Sequence, residues 1–186
     1  MRLFIAVNIS QEIKDRIIFI QTIFKKSSAD VRWITPDNLH LTLKFLGEVS
    51  DSKIAIVTEK VKQSVAGVKK FEVDFGGVDV FPDKSFPRIL WLGVTKGKNE
   101  LASLAQKIDN SLEEIGFEKE KRQFSAHLTI GRIKSHKNKE KLFSIVEKTP
   151  ADKISDVVEF VYLMKSTLTP QGSIYDVVEK FQLEGK

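Results

Sequence analysis

One short strand pattern occurs twice in this chain, and it constrains the fold more than any other feature. The sequence His-Leu-Thr-Leu begins at His40, and His-Leu-Thr-Ile begins at His127, 87 residues later. Arg2 and Arg88, which open two similar apolar strands, lie 86 residues apart. Repetition at one fixed spacing indicates two copies of one supersecondary unit. Chance recurrence of β-α-β patterns is the alternative, and the nearly identical His-Leu-Thr strands argue against it.

Each copy has the periodicity of a β-α-β-α-β unit. Apolar residues at helical spacing predict the helices, as Ile13, Ile17 and Ile20 do. The apolar phase changes at Gly76-Gly77, which predicts a β-bulge there. The predicted elements of the first copy are strands 2–9, 39–49 and 71–81, with helices 10–26 and 51–66. Those of the second copy are strands 88–94, 126–133 and 155–165, with helices 99–115 and 138–148, and a closing strand 173–183 follows.

These elements predict an α+β fold in one bilobal domain spanning residues 1–186. The first repeat covers about 1–82 and the second about 87–166, with the strand 173–183 closing the domain. The content of 41% hydrophobic residues, with 13 Phe, is enough for a packed core. We therefore expect two mainly antiparallel sheets, related by a pseudo-two-fold axis, on either side of a central cleft.

Composition excludes several classes of protein. The chain has no Cys, so a disulfide scaffold, a Cys zinc finger, an iron–sulfur site and a thiol nucleophile are excluded. No apolar stretch approaches 20 residues, and the first eight residues become polar too soon for a signal peptide. We therefore expect a soluble cytoplasmic protein. The net charge of +5 fits a phosphate-bearing partner but is common in unrelated proteins.

The two repeated strands carry the candidate chemistry. Alternate residues of a strand share a face, so His40 and Thr42 point one way, as do His127 and Thr129. A pseudo-dyad would place these faces on opposite walls of the cleft. Two imidazoles with pKa values near 6.5 can serve as an acid–base pair, and the hydroxyls can donate to a phosphoryl group. The sequence shows no carboxylate pair, P-loop or metal-ligand cluster, so metal-free phosphodiester chemistry is the natural interpretation.

Each of these histidines could also have a purely structural role. A single His in a strand is more often partly buried and hydrogen-bonded than functional. Here, however, two of the three His residues lie in matching strands, which favours function. The third, His136, lies in a polar loop and is expected to be solvated. A zinc site formed by all three is disfavoured, because the nine-residue spacing of 127 and 136 suits no single helix or strand face.

The chain resembles a known family over practically its whole length. The strings Trp33–Gly47 and Arg88–Val94, with the two His-x-Thr-x strands in this order, closely resemble the 2H phosphoesterases. Within them the chain is similar to the RNA 2′,3′-cyclic phosphodiesterases, also called 2′-5′ RNA ligase-like proteins. The resemblance implies a bilobal α+β fold with a basic cleft, no metal and no cofactor. It implies hydrolysis of RNA 2′,3′-cyclic phosphate ends to 2′-phosphomonoesters, with reversible, ATP-independent 2′-5′ joining as a further activity.

The resemblance also implies partners and roles for individual residues. The implied partner is RNA with a 2′,3′-cyclic phosphate end, tRNA fragments included. The implied working form is a monomer with no membrane association and no obligate protein partner. His40 corresponds to the proton donor of the family, and His127 to its proton acceptor. Thr42 and Thr129 correspond to the threonines that bind phosphate. Ala126 stands where many relatives have Pro, which should alter the start of the strand more than the chemistry.

Three residues of the repeated strands have positions that are less certain from the pattern. Arg132 corresponds to a basic residue that follows the second motif in the family. Strict alternation directs Arg132 toward the core, so contact with phosphate requires a bulge or the strand end, and a surface arginine is the alternative. Lys44 shares the face of the first motif's His and Thr, so it lines the cleft or is solvated. Phe45 alternates toward the core and is expected to pack there.

Other basic and aromatic residues leave further alternatives open. Trp33 is interpreted as a core residue rather than a base-stacking one, and Arg88 either meets the RNA backbone or is solvated. The Lys-rich runs 25–26, 119–122 and 134–141 are expected to be solvated, and would attract RNA if they border the cleft. Two rival functions also remain. One is a non-catalytic RNA- or nucleotide-binding module. The other is an enzyme whose physiological direction is ligation, or whose substrate is a small cyclic nucleotide-like phosphodiester.

Overall fold

The helices form where apolar residues recur every three to four positions, and capping residues set their ends. The computed structural model describes residues 1–149, 153–170 and 172–185. In α1 (Gln11–Lys25), the Ser10 hydroxyl accepts a hydrogen bond from the amide of Ile13 at 3.4 Å and so caps the helix. The other helices are α2 (Asp51–Val65), α3 (Lys98–Glu113) and α4 (Lys139–Lys148). None of the helices in the described ranges is long and apolar enough to cross a membrane.

The strands form two antiparallel sheets. A single turn of 3-10 helix, Pro36–Asn38, leads into β3. The first sheet has the order β3-β1-β8-β9, and the second has the order β2-β6-β5-β4-β7. The strands are β1 (Arg2–Asn8), β2 (Val31–Trp33), β3 (His40–Glu48), β4 (Phe71–Phe81), β5 (Ile89–Lys96), β6 (His127–Ile133), β7 (Ile154–Val158), β8 (Phe160–Thr169) and β9 (Gly172–Gln182).

The two sheets repeat one arrangement and exchange a strand. In the first sheet β1 lies between β3 and β8, and in the second β5 lies between β6 and β4. The last strand of the first copy, β4, therefore pairs with β5 of the second copy. In return β8, from the second copy, pairs with β1. The predicted α+β fold with antiparallel sheets is confirmed, and the exchange ties the two halves of the chain together.

The local predictions hold with two differences. The bulge at Gly76-Gly77 is confirmed, because the register of β4 with β5 shifts between Phe75 and Val78. The segment predicted as one strand over 155–165 is two strands, β7 and β8, which join different sheets on either side of Glu159. The short strand β2 was not predicted, since three residues are too few for a periodic signal. Gln171, just before the predicted closing strand 173–183, lies outside the described residues.

Each sheet has one face covered by helices. Helix α3 contacts β3 and α2 contacts β9, so this pair covers the first sheet. Helix α1 contacts β7 and α4, on the side of the second sheet. The strand residues beneath the helices are apolar and buried, among them Leu41, Leu43, Leu128 and Ile130. The polar residues of the same strands therefore point away from this core.

Candidate active site

Two matching β-bulges shape the strands that carry the paired His and Thr residues. In β3, Thr42 pairs with Ala6 and Lys44 pairs with Ile5, so Leu43 is an extra residue without a partner across the ladder. In β6, Thr129 pairs with Trp91 and Gly131 pairs with Leu90, so Ile130 is extra in the same way. A bulge reverses the alternation of every residue that follows it. The residues two positions after each bulge therefore return to the face of the His and Thr.

The bulge in β3 corrects two predictions. Phe45 was expected to pack in the core, but it is 67% exposed and lines the cleft. Lys44 was expected to line the cleft or to be solvated, but it is only 7% exposed. Its ammonium donates to the Asp109 carboxylate at 2.5 Å and to the Glu118 carbonyl oxygen at 2.9 Å. Both errors have one cause, because the alternation was continued straight through the bulged residue.

The bulge in β6 brings Arg132 to the cleft. A bulge was one of the two conditions under which the sequence allowed Arg132 to contact phosphate. Arg132 is exposed and lines the same cleft as His127 and Thr129. The freed carbonyl of Ile130 accepts hydrogen bonds from the Ile34 amide at 3.1 Å and from the side chain of Gln21 at 2.9 Å. Gln21 is 3% exposed, so a buried amide from α1 holds this bulge in place.

A single cleft of about 1150 Å³ lies between the two sheets and contains all five predicted site residues. His40 and Thr42 lie on one wall, and His127 and Thr129 on the other. The described residues that line the cleft include three arginines and one aspartate, namely Arg2, Arg32, Arg132 and Asp37. The lining therefore carries a positive charge that would attract a phosphate-bearing ligand.

Both histidine rings are oriented by a carbonyl oxygen two residues upstream. The Nδ1 of His40 lies 2.8 Å from the Asn38 oxygen, and the Nδ1 of His127 lies 2.7 Å from the Ser125 oxygen. A carbonyl can only accept, so each Nδ1 carries the proton and each neutral ring has its lone pair on Nε2. In His40 that Nε2 lies 3.1 Å from the Thr42 hydroxyl, which donates to it.

Aromatic rings flank each histidine. The ring of His40 lies 4.9 Å from that of Phe4 and 5.1 Å from that of Tyr175, measured between ring centroids. The ring of His127 lies 5.1 Å from that of Phe81 and 6.0 Å from that of Trp91. Each imidazole is thus held between two rings, so the pseudo-symmetry extends to the surroundings of the site.

The surroundings of His40 disfavour its charged form. Burial lowers the pKa of His40 from 6.5 to about 4, the hydrogen bond to Asn38 partly opposes this, and the charge of Arg132 lowers it further. His40 is therefore neutral at pH 7 in the ligand-free protein. A bound anion beside it would act in the opposite direction and favour the imidazolium.

The remaining sequence candidates are distributed inside and outside the cleft. Trp33 is half-buried, with its ring centroid 6.4 Å from that of Phe24 in the core, and it also lines the cleft. Arg88 is exposed and does not line the cleft. His136 is exposed, as predicted, and lies beside Phe86 outside the cleft. Across the described residues, no three His, Asp or Glu side chains are grouped so that they could hold a metal ion.

Sequence reasoning missed residues that the fold brings to the cleft from distant segments. Tyr175 reaches His40 from β9, and the side chain of Asn38 donates to the Ser173 carbonyl at 2.8 Å, which ties the β8–β9 hairpin to the turn before His40. No periodic signal marks such residues. Phe45 did have a signal, because it occupies in the first copy the position that Arg132 occupies in the second, 87 residues later.

Comparison with known proteins agrees with the duplication. A protein family described as LigT like Phosphoesterase matches residues 7–91 and again residues 92–175. The RNA 2′,3′-cyclic phosphodiesterase of Methanothermobacter thermautotrophicus is 34% identical over 184 residues, which cover 98% of this chain and 99% of that protein. The RNA 2′,3′-cyclic phosphodiesterase of Thermotoga maritima is 37% identical over 186 residues, which cover 100% of this chain and 97% of that protein.

Solved structures share the fold. The crystal structure of TT0787 of Thermus thermophilus is similar with a TM-score of 0.84 and 24% identity, covering 100% of both chains. The structure of Escherichia coli LigT complexed with 3′-AMP is similar with a TM-score of 0.79 and 24% identity, covering 98% of this chain and 97% of LigT. The arrangement of the two sheets and their helices therefore occurs in these solved structures as well.

Proposed function

The chain belongs to the LigT-like phosphoesterase family, and from that membership we propose that it hydrolyses RNA 2′,3′-cyclic phosphate ends to 2′-phosphomonoesters. The observation that carries the proposal is the pair of His and Thr residues from equivalent strands on opposite walls of one arginine-lined cleft. Such a cleft can hold a phosphoryl group between two imidazoles. Relatives similar over nearly the whole chain are named for this activity, which supports the same substrate here.

The proposed mechanism uses one histidine on each side of the phosphorus. His127 removes a proton from a water molecule as its oxygen attacks the cyclic phosphate. The bond from phosphorus to the 3′ oxygen breaks, and His40 gives that oxygen a proton. The phosphate stays on the 2′ oxygen, so the product is a 2′-phosphomonoester. Donors aimed at the non-bridging oxygens stabilise the charge that develops there.

His40 must gain a proton before it can act as the donor. Its pKa near 4 keeps it neutral in the empty cleft, and we infer that the anionic substrate raises this pKa on binding. Protonation puts a hydrogen on Nε2, where it faces the leaving oxygen. The Thr42 hydroxyl, which donates to Nε2 in the neutral state, can then turn its hydrogen toward the phosphate. Substrate binding is therefore expected to bring proton uptake with it.

Three side chains are assigned to hold the phosphoryl oxygens: Thr42, Thr129 and Arg132. In the described part of the chain the Thr129 hydroxyl has no hydrogen-bond partner, which leaves it available to a ligand. Arg132 reaches the cleft through the bulge at Ile130 and offers a forked donor that suits phosphate. Loss of one such donor is expected to lower the rate by about 10²-fold.

The rest of the cleft suits an RNA chain rather than a bare cyclic nucleotide. Arg2 and Arg32 provide positive charge away from the histidines for backbone phosphates. Phe45 exposes an aromatic face beside the His40 wall, where a terminal base can stack. These groups contact charge and base faces, which every RNA end offers. The proposed substrates are therefore cytoplasmic RNA ends, those of tRNA fragments among them. The proposed working form is a monomer.

The test is an assay on an RNA oligonucleotide ending in 2′,3′-cyclic phosphate, with a metal chelator present. A 2′-phosphate product formed at the same rate with and without chelator is expected. A 3′-phosphate product would contradict the proposed bond cleavage. Bound but unreacted RNA would favour the non-catalytic binding module, and turnover of cyclic mononucleotides alone would favour the small-substrate phosphodiesterase.

The proton roles need a separate experiment, because interchange of the acid and base gives the same pH–rate profile. A substrate with sulfur in place of the 3′ bridging oxygen has a leaving group that departs without protonation. His40→Ala should recover most of its lost rate on this substrate, whereas His127→Ala should recover little. Recovery in His127→Ala instead would reverse the two roles.

A further inference from the structure

Asn38 joins the histidine assigned as proton donor to a distant strand. It is the last residue of the turn Pro36–Asn38, two positions before His40. Its backbone oxygen lies 2.8 Å from the Nδ1 of His40, and its side-chain amide donates to the Ser173 carbonyl at 2.8 Å. We propose that the Asn38 side chain is a positioning residue, which fixes the turn to β9 and so directs the Nε2 of His40 at the leaving oxygen. This rests on the proposed function, which gives His40 the donor role.

The hydrogen bond to the Asn38 carbonyl sets the direction of the imidazole. Because a carbonyl only accepts, the Nδ1 of His40 keeps its hydrogen in both the neutral and the charged ring. The proton that reaches the substrate therefore leaves from Nε2, which lies 3.1 Å from the Thr42 hydroxyl in the ligand-free protein. A shift of the carbonyl turns the ring and moves Nε2 away from the 3′ oxygen. Such errors are costly, because a misplacement of about 1 Å can lower a rate by about 10²-fold.

The side chain of Asn38 secures the turn from the side of the cleft. Ser173 lies 135 positions later on β9, which pairs with β8 and through it with β1. The amide therefore ties the turn to a four-stranded sheet rather than to another loop. Two residues further along β9, the Tyr175 ring lies 5.1 Å from the His40 ring. One strand thus holds both the turn and the ring, and the buried Leu39 secures the turn from the side of the core.

The second copy of the repeat provides a comparison within the same chain. Ser125 occupies the position of Asn38, 87 residues later, and its carbonyl oxygen lies 2.7 Å from the Nδ1 of His127. Ser125 is exposed, and its hydroxyl makes no hydrogen bond within the described ranges. Ala126, which takes the place of Leu39, is only half-buried. Both histidines therefore share the backbone contact, but in the part of the chain that the structure describes only His40 has the side-chain tether.

This difference between the two walls agrees with the tasks that the mechanism gives the histidines. A general acid must match the position of one oxygen that is fixed within the substrate. A general base that acts on water has more freedom, because the water molecule adjusts its own position to the base. A rigid imidazole therefore matters most on the wall of the donor. We expect loss of the Asn38 amide to slow the chemical step rather than to weaken RNA binding.

The first experiment measures kcat and KM of Asn38→Ala on RNA ending in 2′,3′-cyclic phosphate. The value of kcat should fall about tenfold or more while KM stays within about twofold, since Phe45 and the arginines that bind the RNA are untouched. Asn138→Gly is the matched control, because it removes another amide that donates to a backbone carbonyl, that of Ser28 at 3.0 Å. Glycine also accepts the positive φ of 53° at this position. The control should keep both constants, and a raised KM with unchanged kcat in Asn38→Ala would overturn the assignment.

A second experiment shows whether the effect passes through His40. On the substrate with sulfur in place of the 3′ bridging oxygen, the leaving group needs no proton, so Asn38→Ala should recover most of its lost rate. In a His40→Ala protein, Asn38→Ala should cause less than about a twofold further loss, because the group that it positions is already absent. A general distortion of the cleft would slow both substrates by the same factor. That result, or losses that multiply in the double variant, would overturn the inference.

The ring can also be observed without turnover. In nitrogen NMR spectra of the imidazole at pH 7, the wild type should show His40 with its hydrogen on Nδ1 alone, and Asn38→Ala should show a mixture of both tautomers. An unchanged single tautomer in the folded variant would contradict the positioning role. Asn38→Leu keeps the bulk of the side chain without its amide, and it takes the place of Asn38→Ala if that protein does not fold.

Failure of this inference can be distinguished from failure of the proposed function. A wild type that does not hydrolyse cyclic phosphate ends would refute the proposed function itself. Hydrolysis by the wild type, with kcat unchanged in both Asn38 variants, would refute the positioning role alone.

Discussion

Burial of His40 should make the stability of the protein depend on pH, and one substitution should abolish that dependence. The pKa of His40 is lowered from 6.5 to about 4, chiefly by burial. Each pKa unit corresponds to about 1.4 kcal/mol, so the neutral ring contributes about 3 kcal/mol that protonation removes. His40 lies beside Phe4 and Tyr175 and is half-buried on the wall of the cleft, so this figure is an upper bound on the effect.

The sign follows from which state binds the proton. Between about pH 4 and 6.5 the unfolded chain protonates its His40 and the folded protein does not, so the unfolded state binds more protons. The contribution is therefore fully present above pH 6.5 and is lost as the pH falls toward 4. His40→Gln cannot ionise and should lack this part of the dependence.

The assay is urea unfolding of the wild type and His40→Gln at pH values from 4 to 7.5. The difference in unfolding free energy between the two proteins should change by up to about 3 kcal/mol across the range. Carboxylates titrate alike in both proteins, so they cancel in the difference. His136→Gln alters an exposed histidine outside the cleft and serves as the control, with no such change expected. A constant difference between the wild type and His40→Gln would refute the reasoning.

Three other substitutions test the positions that the bulges create. Lys44→Met leaves the partly buried Asp109 carboxylate without its counter-charge and should lower the unfolding free energy by about 3 kcal/mol, whereas the double variant with Asp109→Asn should regain most of it. Gln21→Leu removes a donor from the Ile130 carbonyl and should cost about 1–3 kcal/mol in urea unfolding; an unchanged midpoint would show that the amide does not hold the bulge. Phe45→Ala should raise KM for RNA about tenfold through lost base stacking, and Phe86→Ala, equally exposed at 67% but outside the cleft, should leave KM unchanged. An equal KM in the two Phe variants would remove Phe45 from the RNA site.

The sequence was sufficient to predict the repeated strands and the cleft faces of the four motif residues. Periodicity reports which residues share a face within one strand, and the duplication relates the two His-Leu-Thr strands to each other. Both kinds of signal depend on neighbouring or repeated residues. They therefore predict the correct face for each residue up to Thr42 and Thr129, which precede the two bulges.

Beyond the bulges the local signal fails because distant residues decide the outcome. A buried Lys44 is stable only because Asp109, 65 positions away, supplies a counter-charge. The exchange of β4 and β8 between sheets is equally non-local. An apolar pattern in a strand predicts which face is buried, but it does not predict which strand lies beside it. Tyr175 reaches His40 only through that arrangement, so nothing near it in the sequence marks it as part of the site.

The central claim is that His40 and His127 both act on one phosphoryl group. Its most direct test is the rate of 2′-phosphate formation in His40→Ala and His127→Ala, with His136→Ala as the matched control. Each of the first two variants should lose about 10²–10⁴-fold in rate, while His136→Ala keeps the wild-type rate. A folded His40→Ala or His127→Ala protein that retained the wild-type rate would contradict the paired mechanism.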